Sequence, residues 1–207
     1  MSDWPLAVAA RSSRTRGRQT LARLLDAAEA ELGAHGYHGA RMAHIAKAAG
    51  VAHGTLYVYF RDRDDLLAAL QVDVDAELRA VLLSMPAVTP GAPGLDDLRT
   101  WAESVCAVFQ RHGAVLQALA EALNEDDQSP AGRAALRSMQ VTTRHMAGRL
   151  RDACGTSAEF DPEIAGLCLF ALIEGGNRAV FRGELDTPVA RLAVEIARFV
   201  QRAASPA

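Results

Sequence analysis

The chain has 207 residues, half of them apolar and only 5% aromatic, with a formal net charge of −3. That length and apolar content allow a sizeable core in one or two domains. No apolar run with a cleavage site opens the sequence and nowhere do 18 apolar residues run uninterrupted, which argues against a secretory signal and a membrane span and makes the cytoplasm the expected location.

Breakers and caps divide the chain into about nine helices with no strand pattern, so the predicted class is all-α. The first helix is expected from about Gly17 to His35, burying Leu21, Leu24, Leu25, Ala28 and Leu32 and ending at Gly36. Two short helical patterns then meet at Gly50 within Met42 to Phe60, the outline of a helix-turn-helix. Met42, Ile45, Ala46 and Ala49 recur at helical spacing and leave Lys47 outside. Gly50 supplies the left-handed turn residue, Val51 plugs the turn, and the second helix turns Leu56 and Phe60 inward. Thr55, Tyr57 and Tyr59 are left near the outside. A helix entering the major groove leads with N-terminal residues small enough for close backbone approach, which His53, Gly54 and Thr55 satisfy. Tyr57 and Tyr59 are two residues apart and diverge by about 200°, so both cannot face the core.

Asp62 is a predicted N-cap for helix four, with Asp65 at the third position of a capping box and Leu66, Leu67, Leu70, Val74 and Leu78 as its apolar stripe, reaching about Leu83. Pro86 to Gly94 reads as a loop. Helix five is expected over Leu95 to Arg111 and helix six over Ala114 to Asn124. Helices seven, eight and nine each open with a capping residue before proline, whose missing N–H costs nothing in the first turn: Ser129-Pro130, Asp161-Pro162 and Thr187-Pro188. They are expected to end near Cys154, Arg182 and Ala203. Cys106, Cys154 and Cys168 lie in apolar helical patterns and read as buried reduced thiols. Glu174 and Arg178, four apart, read as a local ion pair.

Charge is unevenly divided. Residues 1–63 hold nine basic and five acidic side chains and residues 64–207 thirteen and twenty, so the two parts carry +4 and −7. Arg11, Arg14, Arg16 and Arg18 form a basic arm, and Arg41, Lys47, Arg61 and Arg63 surround the motif. Alone, these would be a solvated face; beside a helix-turn-helix they attract phosphate.

Met42 to Phe60 with the following Arg61 to Leu67 resembles the TetR/AcrR family of bacterial one-component transcription regulators. Ile45, Ala46, Ala49, Gly50, Val51, Gly54, Thr55, Leu56, Tyr57, Tyr59, Phe60 and Leu66 match a pattern close to I-A-x-x-A-G-V-S-x-G-T-L-Y-x-Y-F-x-x-K-x-x-L. Two places depart from it. Ala40 and Arg41 stand where a Ser or Thr usually caps the first motif helix, and Ala52 and His53 replace the usual Ser and a frequent Lys. The resemblance implies a DNA-binding domain over residues 1–66 and a helical ligand-binding and dimerisation domain over 67–207. It implies that Tyr57 and Arg63 bind backbone phosphate. Thr55 and His53 are the expected base-edge contacts, Gly54 the close approach, Arg41 a phosphate contact by charge, and Tyr59 a further candidate. It also implies a two-fold homodimer through helices eight and nine. Helix eight offers Ile164, Leu167, Cys168, Ala171, Leu172, Gly175 and Ala179, a stripe broad enough to serve both core and partner or to be core alone, with Gly175 and Gly176 permitting close approach, and helix nine offers Val189, Leu192, Ile196 and Phe199.

The implied function is a ligand-responsive regulator, a repressor that binds a palindromic operator in double-stranded DNA and is released by a small apolar or aromatic effector. Trp101, Phe109, Met139 and Asn177 are the leading candidates for the effector pocket, and each also reads as ordinary core. Catalysis, a cofactor and a metal are not expected: there is no Glu-x-x-His pair, GxGxxG loop, P-loop or G-x-S-x-G elbow, and His35 and His38 read as surface histidines without partners. The alternative is a ligand carrier or protein-interaction module that keeps a vestigial DNA-binding domain.

Overall fold

The computed structural model describes residues 15–89, 91–154 and 161–204, the side chains of residues 153, 154 and 204 excepted. Arg11, Arg14 and the side chain of Cys154 lie outside the described residues. Those residues form nine helices: α1 Thr15–Gly39, α2 Met42–Ala48, α3 His53–Tyr59, α4 Arg63–Leu83, α5 Gly91–Arg111, α6 Gly113–Glu125, α7 Pro130–Cys154, α8 Pro162–Phe181 and α9 Val189–Ala204.

Most helix ends follow the local chemistry of the sequence. Gly36, at φ 67° and ψ −179°, breaks α1 where expected, and the turn after it buries Tyr37. The Asp62 carboxylate accepts the Asp65 N–H at 2.8 Å, the Ser129 hydroxyl accepts the Gly132 N–H at 2.9 Å, and the Asp161 carboxylate accepts from Glu163 at 2.8 Å. These bonds satisfy donors that a helix start leaves without partners.

Two starts differ from expectation. α5 begins at Gly91, not Leu95, because Pro93 fits within a first turn and Gly94 lies against Thr89; a Cβ on Gly94 would stand 2.1 Å from the Thr89 carbonyl oxygen. α9 begins at Val189. The Pro188 carbonyl accepts from Leu192 at 3.3 Å, so proline itself holds the N-cap position and Thr187 lies one residue outside it.

The chain forms two compact units. The first holds the described residues through Asp73 together with Ala114–Leu136, and the second holds Val74–Gly113 and Arg137 onward. The sequence-based boundary after residue 66 thus falls inside α4, and α6 joins the first unit, with Ala114 next to Gly33 of α1 and Glu125 3.3 Å from His38. In the first unit α1 packs on α2 and α2 on α3 around Leu24, Ala28, Leu32, Ile45, Leu56 and Phe60.

In the second unit α9 lies against α5 and α8 through Ala193, Ile196 and Ala197. The buried face of α8 is Gly166, Leu169, Ile173 and Asn177. Its other face, with Ile164, Leu167, Ala171 and Leu172, is exposed. Cys168 belongs to that face and is exposed, which corrects the expectation of a buried thiol; Cys106 is buried, and burial pushes its thiol upward while the Asn177 hydrogen bond acts the other way. Gly176 admits Leu192, whose Cδ1 would stand 2.9 Å from an added Cβ, whereas Gly175 faces open space. Among the described residues α8 alone is long and apolar enough to cross a membrane by length and composition, with 22% of its apolar window buried.

Candidate nucleic-acid interface

The motif is built by a few backbone bonds and two buried side chains. The Ala49 N–H closes α2 on Ile45 at 2.9 Å, Gly50 takes φ 65°, and the Val51 N–H returns to the Ala46 carbonyl at 3.0 Å. Val51 is half-buried rather than fully enclosed. α3 then starts at an extended Ala52 without a side-chain cap and stops at an extended Phe60, whose N–H bonds Leu56 at 3.0 Å. Leu56 and Phe60 are both fully buried and fix the rotation of this two-turn helix.

That rotation decides what faces outward. His53, Gly54, Tyr57 and Val58 are exposed and Thr55 is half-buried. The His53 and Tyr57 rings meet edge to face, centroids 5.1 Å apart, so the two large outer side chains brace one another. Tyr59 is turned away: it is half-buried, and its hydroxyl donates to the Gly17 carbonyl at 3.4 Å. The divergence expected of the two tyrosines therefore leaves Tyr57 outside and ties Tyr59 to α1. Val58, 51% exposed, is an outer-face residue that the sequence pattern did not single out.

The start of α4 is anchored by a clamp that periodicity does not reveal. The Arg63 guanidinium lies 3.8 Å above the Tyr37 ring and donates to the Tyr37 carbonyl at 2.5 Å, while the Tyr37 hydroxyl donates to Asp64 at 2.9 Å. Burial and then the Asp64 carboxylate hold the Tyr37 phenol above its usual range. A guanidinium carries five donors, so Arg63 is oriented by Tyr37 with N–H groups to spare. Arg61, exposed, forks onto the buried Asp65 carboxylate at 2.5 and 2.6 Å, and that bond raises the guanidinium further above its already high range. The Asp65 carboxylate also accepts the Arg61 N–H at 3.2 Å, so the capping box closes one residue earlier than predicted.

At the start of α2 no side chain of the preceding loop caps the helix. Glu31 of α1 instead braces the residue ahead of the helix, accepting the Arg41 N–H at 3.3 Å and meeting His44 Nδ1 at 3.0 Å. The Arg41 side chain is exposed. The missing hydroxyl is not replaced, and the brace on Arg41 comes from another helix, which no local signal near Ala40 could show. His35 and His38, expected to lack partners, lie 3.8 Å from Glu31 and 3.3 Å from Glu125.

The four leading effector candidates all fall in the second unit. Trp101 and Phe109 are buried on α5, and the Trp101 ring N–H donates to the Val81 carbonyl at 3.1 Å. Met139 is half-buried on α7. Asn177 is buried on α8, where its amide donates to Ile173 at 2.8 Å and to the Cys106 sulfur at 3.6 Å. Its Oδ1 finds no donor among the described residues. Asn177 and Cys106 are brought together; Trp101 is fixed instead against α4. Glu174 and Arg178 pair at 2.7 Å, as their spacing predicts.

Residues 24–70 match the family model described as bacterial regulatory proteins, tetR family. The HTH-type transcriptional regulator BetI of Escherichia coli is 30% identical over 185 residues, spanning 84% of this chain and 90% of that protein. The fatty acid metabolism regulator protein of Bacillus subtilis is 45% identical over 47 residues, which span 24% of its length. Among solved structures, the fatty acid degradation regulator FadR of Bacillus halodurans superposes with a TM-score of 0.69 at 17% identity, covering 88% of this chain and 94% of that one. FadR of Bacillus subtilis in complex with stearoyl-CoA gives 0.69 at 16% identity, covering 87% and 97%. At such identities the structural likeness is one of fold.

Proposed function

The chain belongs to the TetR family of DNA-binding transcriptional regulators and is not an enzyme, and from that premise we propose that it is a cytoplasmic repressor that binds a palindromic operator as a homodimer and leaves it when a small apolar or aromatic effector binds. The observation that carries the reading is the outer face of α3: two fully buried anchors, Leu56 and Phe60, present His53, Gly54 and Tyr57 to solvent with a helix start narrow enough to enter a groove. Tyr57, Arg63 and Arg41 serve phosphate, and His53 and Thr55 serve base edges. Tyr59 acts through α1, by holding the helix in place.

Two-fold binding needs an apolar face on each subunit. α8 and α9 supply one: Ile164, Leu167, Leu172 and Phe199 are each at least 36% exposed, and an open groove of about 500 Å³ runs beside Leu172, Leu192 and Phe199. Pairing these faces removes from water the apolar surface that makes α8 read as a membrane span. An apolar effector is supported by the apolar side chains buried in the second unit, where Asn177 Oδ1 is one of four buried polar atoms without a partner among the described residues, beside Gln110 Nε2, Thr143 Oγ1 and Arg149 Nε, and the stearoyl-CoA held by the Bacillus subtilis structure has a long apolar tail of that character.

Enrichment of bound sequences from a random duplex pool tests the proposal. A palindrome with half-sites about 34–36 Å apart, or one further turn, is expected for paired recognition helices. No enriched palindrome would favour the ligand-carrier alternative.

A further inference from the structure

We propose that Glu31, His35 and His44 form a binding site for a divalent transition-metal ion of the zinc class, joining α1 to α2. Glu31 and His35 are four residues apart on one face of α1 before its break at Gly36, and His44 comes from the first turn of α2. One donor atom from each lies within 4.8 Å of the other two. Glu31 Oε1 is 3.0 Å from His44 Nδ1, and Glu31 Oε2 is 3.8 Å from His35 Nε2. Bonds of about 2.0–2.2 Å from a tetrahedral ion to nitrogen and oxygen set donor separations of about 3.3 Å, so small side-chain rotations complete the set.

Burial and charge point the same way. The Glu31 side chain is 11% exposed and the two imidazoles 52%. The carboxylate is the floor and the rings are a rim open to solvent, which leaves an entry path and a fourth position for water. Among the described residues the ionic partners of Glu31 are these two histidines, so a carboxylate only 11% exposed is faced by imidazole nitrogens and by no lysine or arginine. A metal ion would place a fixed positive charge between the carboxylate and the two rings. A set of two imidazoles and one carboxylate suits zinc, cobalt, nickel or copper and does not suit magnesium or calcium, which take oxygen ligands. Because Glu31 also accepts the Arg41 N–H, the ion would fasten the start of α2 to α1 across the break at Gly36.

The test uses the full chain, stripped with chelator, and needs no DNA, so its outcome is separate from that of the operator proposal. Zinc is titrated in competition with a chromophoric chelator, and cobalt by visible absorption. One ion per chain is expected, with no thiolate-to-metal charge-transfer band and no competition by magnesium. His35→Ala, His44→Ala and Glu31→Gln should each weaken binding at least about tenfold, the scale on which even outer-sphere partners act. The double variant His35→Ala/His44→Ala should abolish it, and His145→Ala should leave it unchanged. Both histidines are half-exposed, and circular dichroism checks that the variants fold. Undiminished binding in the double variant, a thiolate band, or no ion held by the unmodified chain overturns the site.

Discussion

Gly54→Ala separates what α3 needs in order to fold from what it needs in order to meet DNA. Gly54 is exposed, lies inside α3, has no left-handed backbone angle, and an added Cβ would meet nothing within 4 Å. The fold therefore does not require glycine. Alanine should stabilise the helix by roughly 0.5–1 kcal/mol, and at about 2–4 °C per kcal/mol for a chain of this size the Tm should rise by about 1–4 °C. The same methyl stands on the face that approaches the groove, where forcing an extra methyl into a fitted contact costs about 1–3 kcal/mol. Operator affinity should fall about 5 to 150-fold in a fluorescence anisotropy titration at fixed salt. A variant that is more stable and binds equally well would refute the close approach at Gly54; one that is less stable would refute the helix argument.

Arg63→Ala and Tyr57→Phe should weaken binding to all duplexes alike, and Arg63→Ala should lower the salt slope by about 1, while Thr55→Ala should relax preference at one base position; gel retardation across salt and operator variants reads all three. Gly166→Ala should destabilise the second unit by about 1–3 kcal/mol in urea unfolding, because the added carbon would stand 2.7 Å from the Ala147 nitrogen and 2.8 Å from the Thr143 oxygen, both backbone atoms of α7. The raised phenol of Tyr37 favours the neutral form in the folded state. Its contribution is therefore complete below about pH 10, the ordinary tyrosine value, and is lost as pH rises through the folded value. Tyr37→Phe should flatten that alkaline loss in denaturation curves, and an unchanged slope would remove the phenol as its source. Effector and operator should weaken one another by the same factor, typically 5 to 150-fold, and calorimetry showing equal effector affinity with and without operator would remove the coupling.

Much of this fold is legible in the sequence because short-range chemistry writes it. Gly50, the caps Asp62, Ser129 and Asp161, and the inward Leu56 and Phe60 act within a few residues of themselves. The legible part ends where the partner is distant in sequence. Glu31 on the Arg41 N–H, Tyr37 under Arg63, and Tyr59 on Gly17 pair residues 10, 26 and 42 positions apart. α8 shows a third kind of difficulty: it is apolar all round, so periodicity cannot say which face is core. The packed face is Leu169, Ile173 and Asn177, whereas the stripe that the sequence offers for core and partner together is largely exposed and so is left for a partner alone. The start of α5 was obscured by prolines, which signal a loop and a helix's first turn equally well.

The central claim, that a paired α3 reads duplex DNA, is tested most directly by measuring stoichiometry and competition on one enriched duplex at about 0.15 M salt. Two chains should bind per operator, and a shuffled duplex of the same length should compete at least about 10³-fold more weakly, the lower bound usual for specific sites. A single chain per duplex, or equal competition by the shuffled sequence, would contradict it.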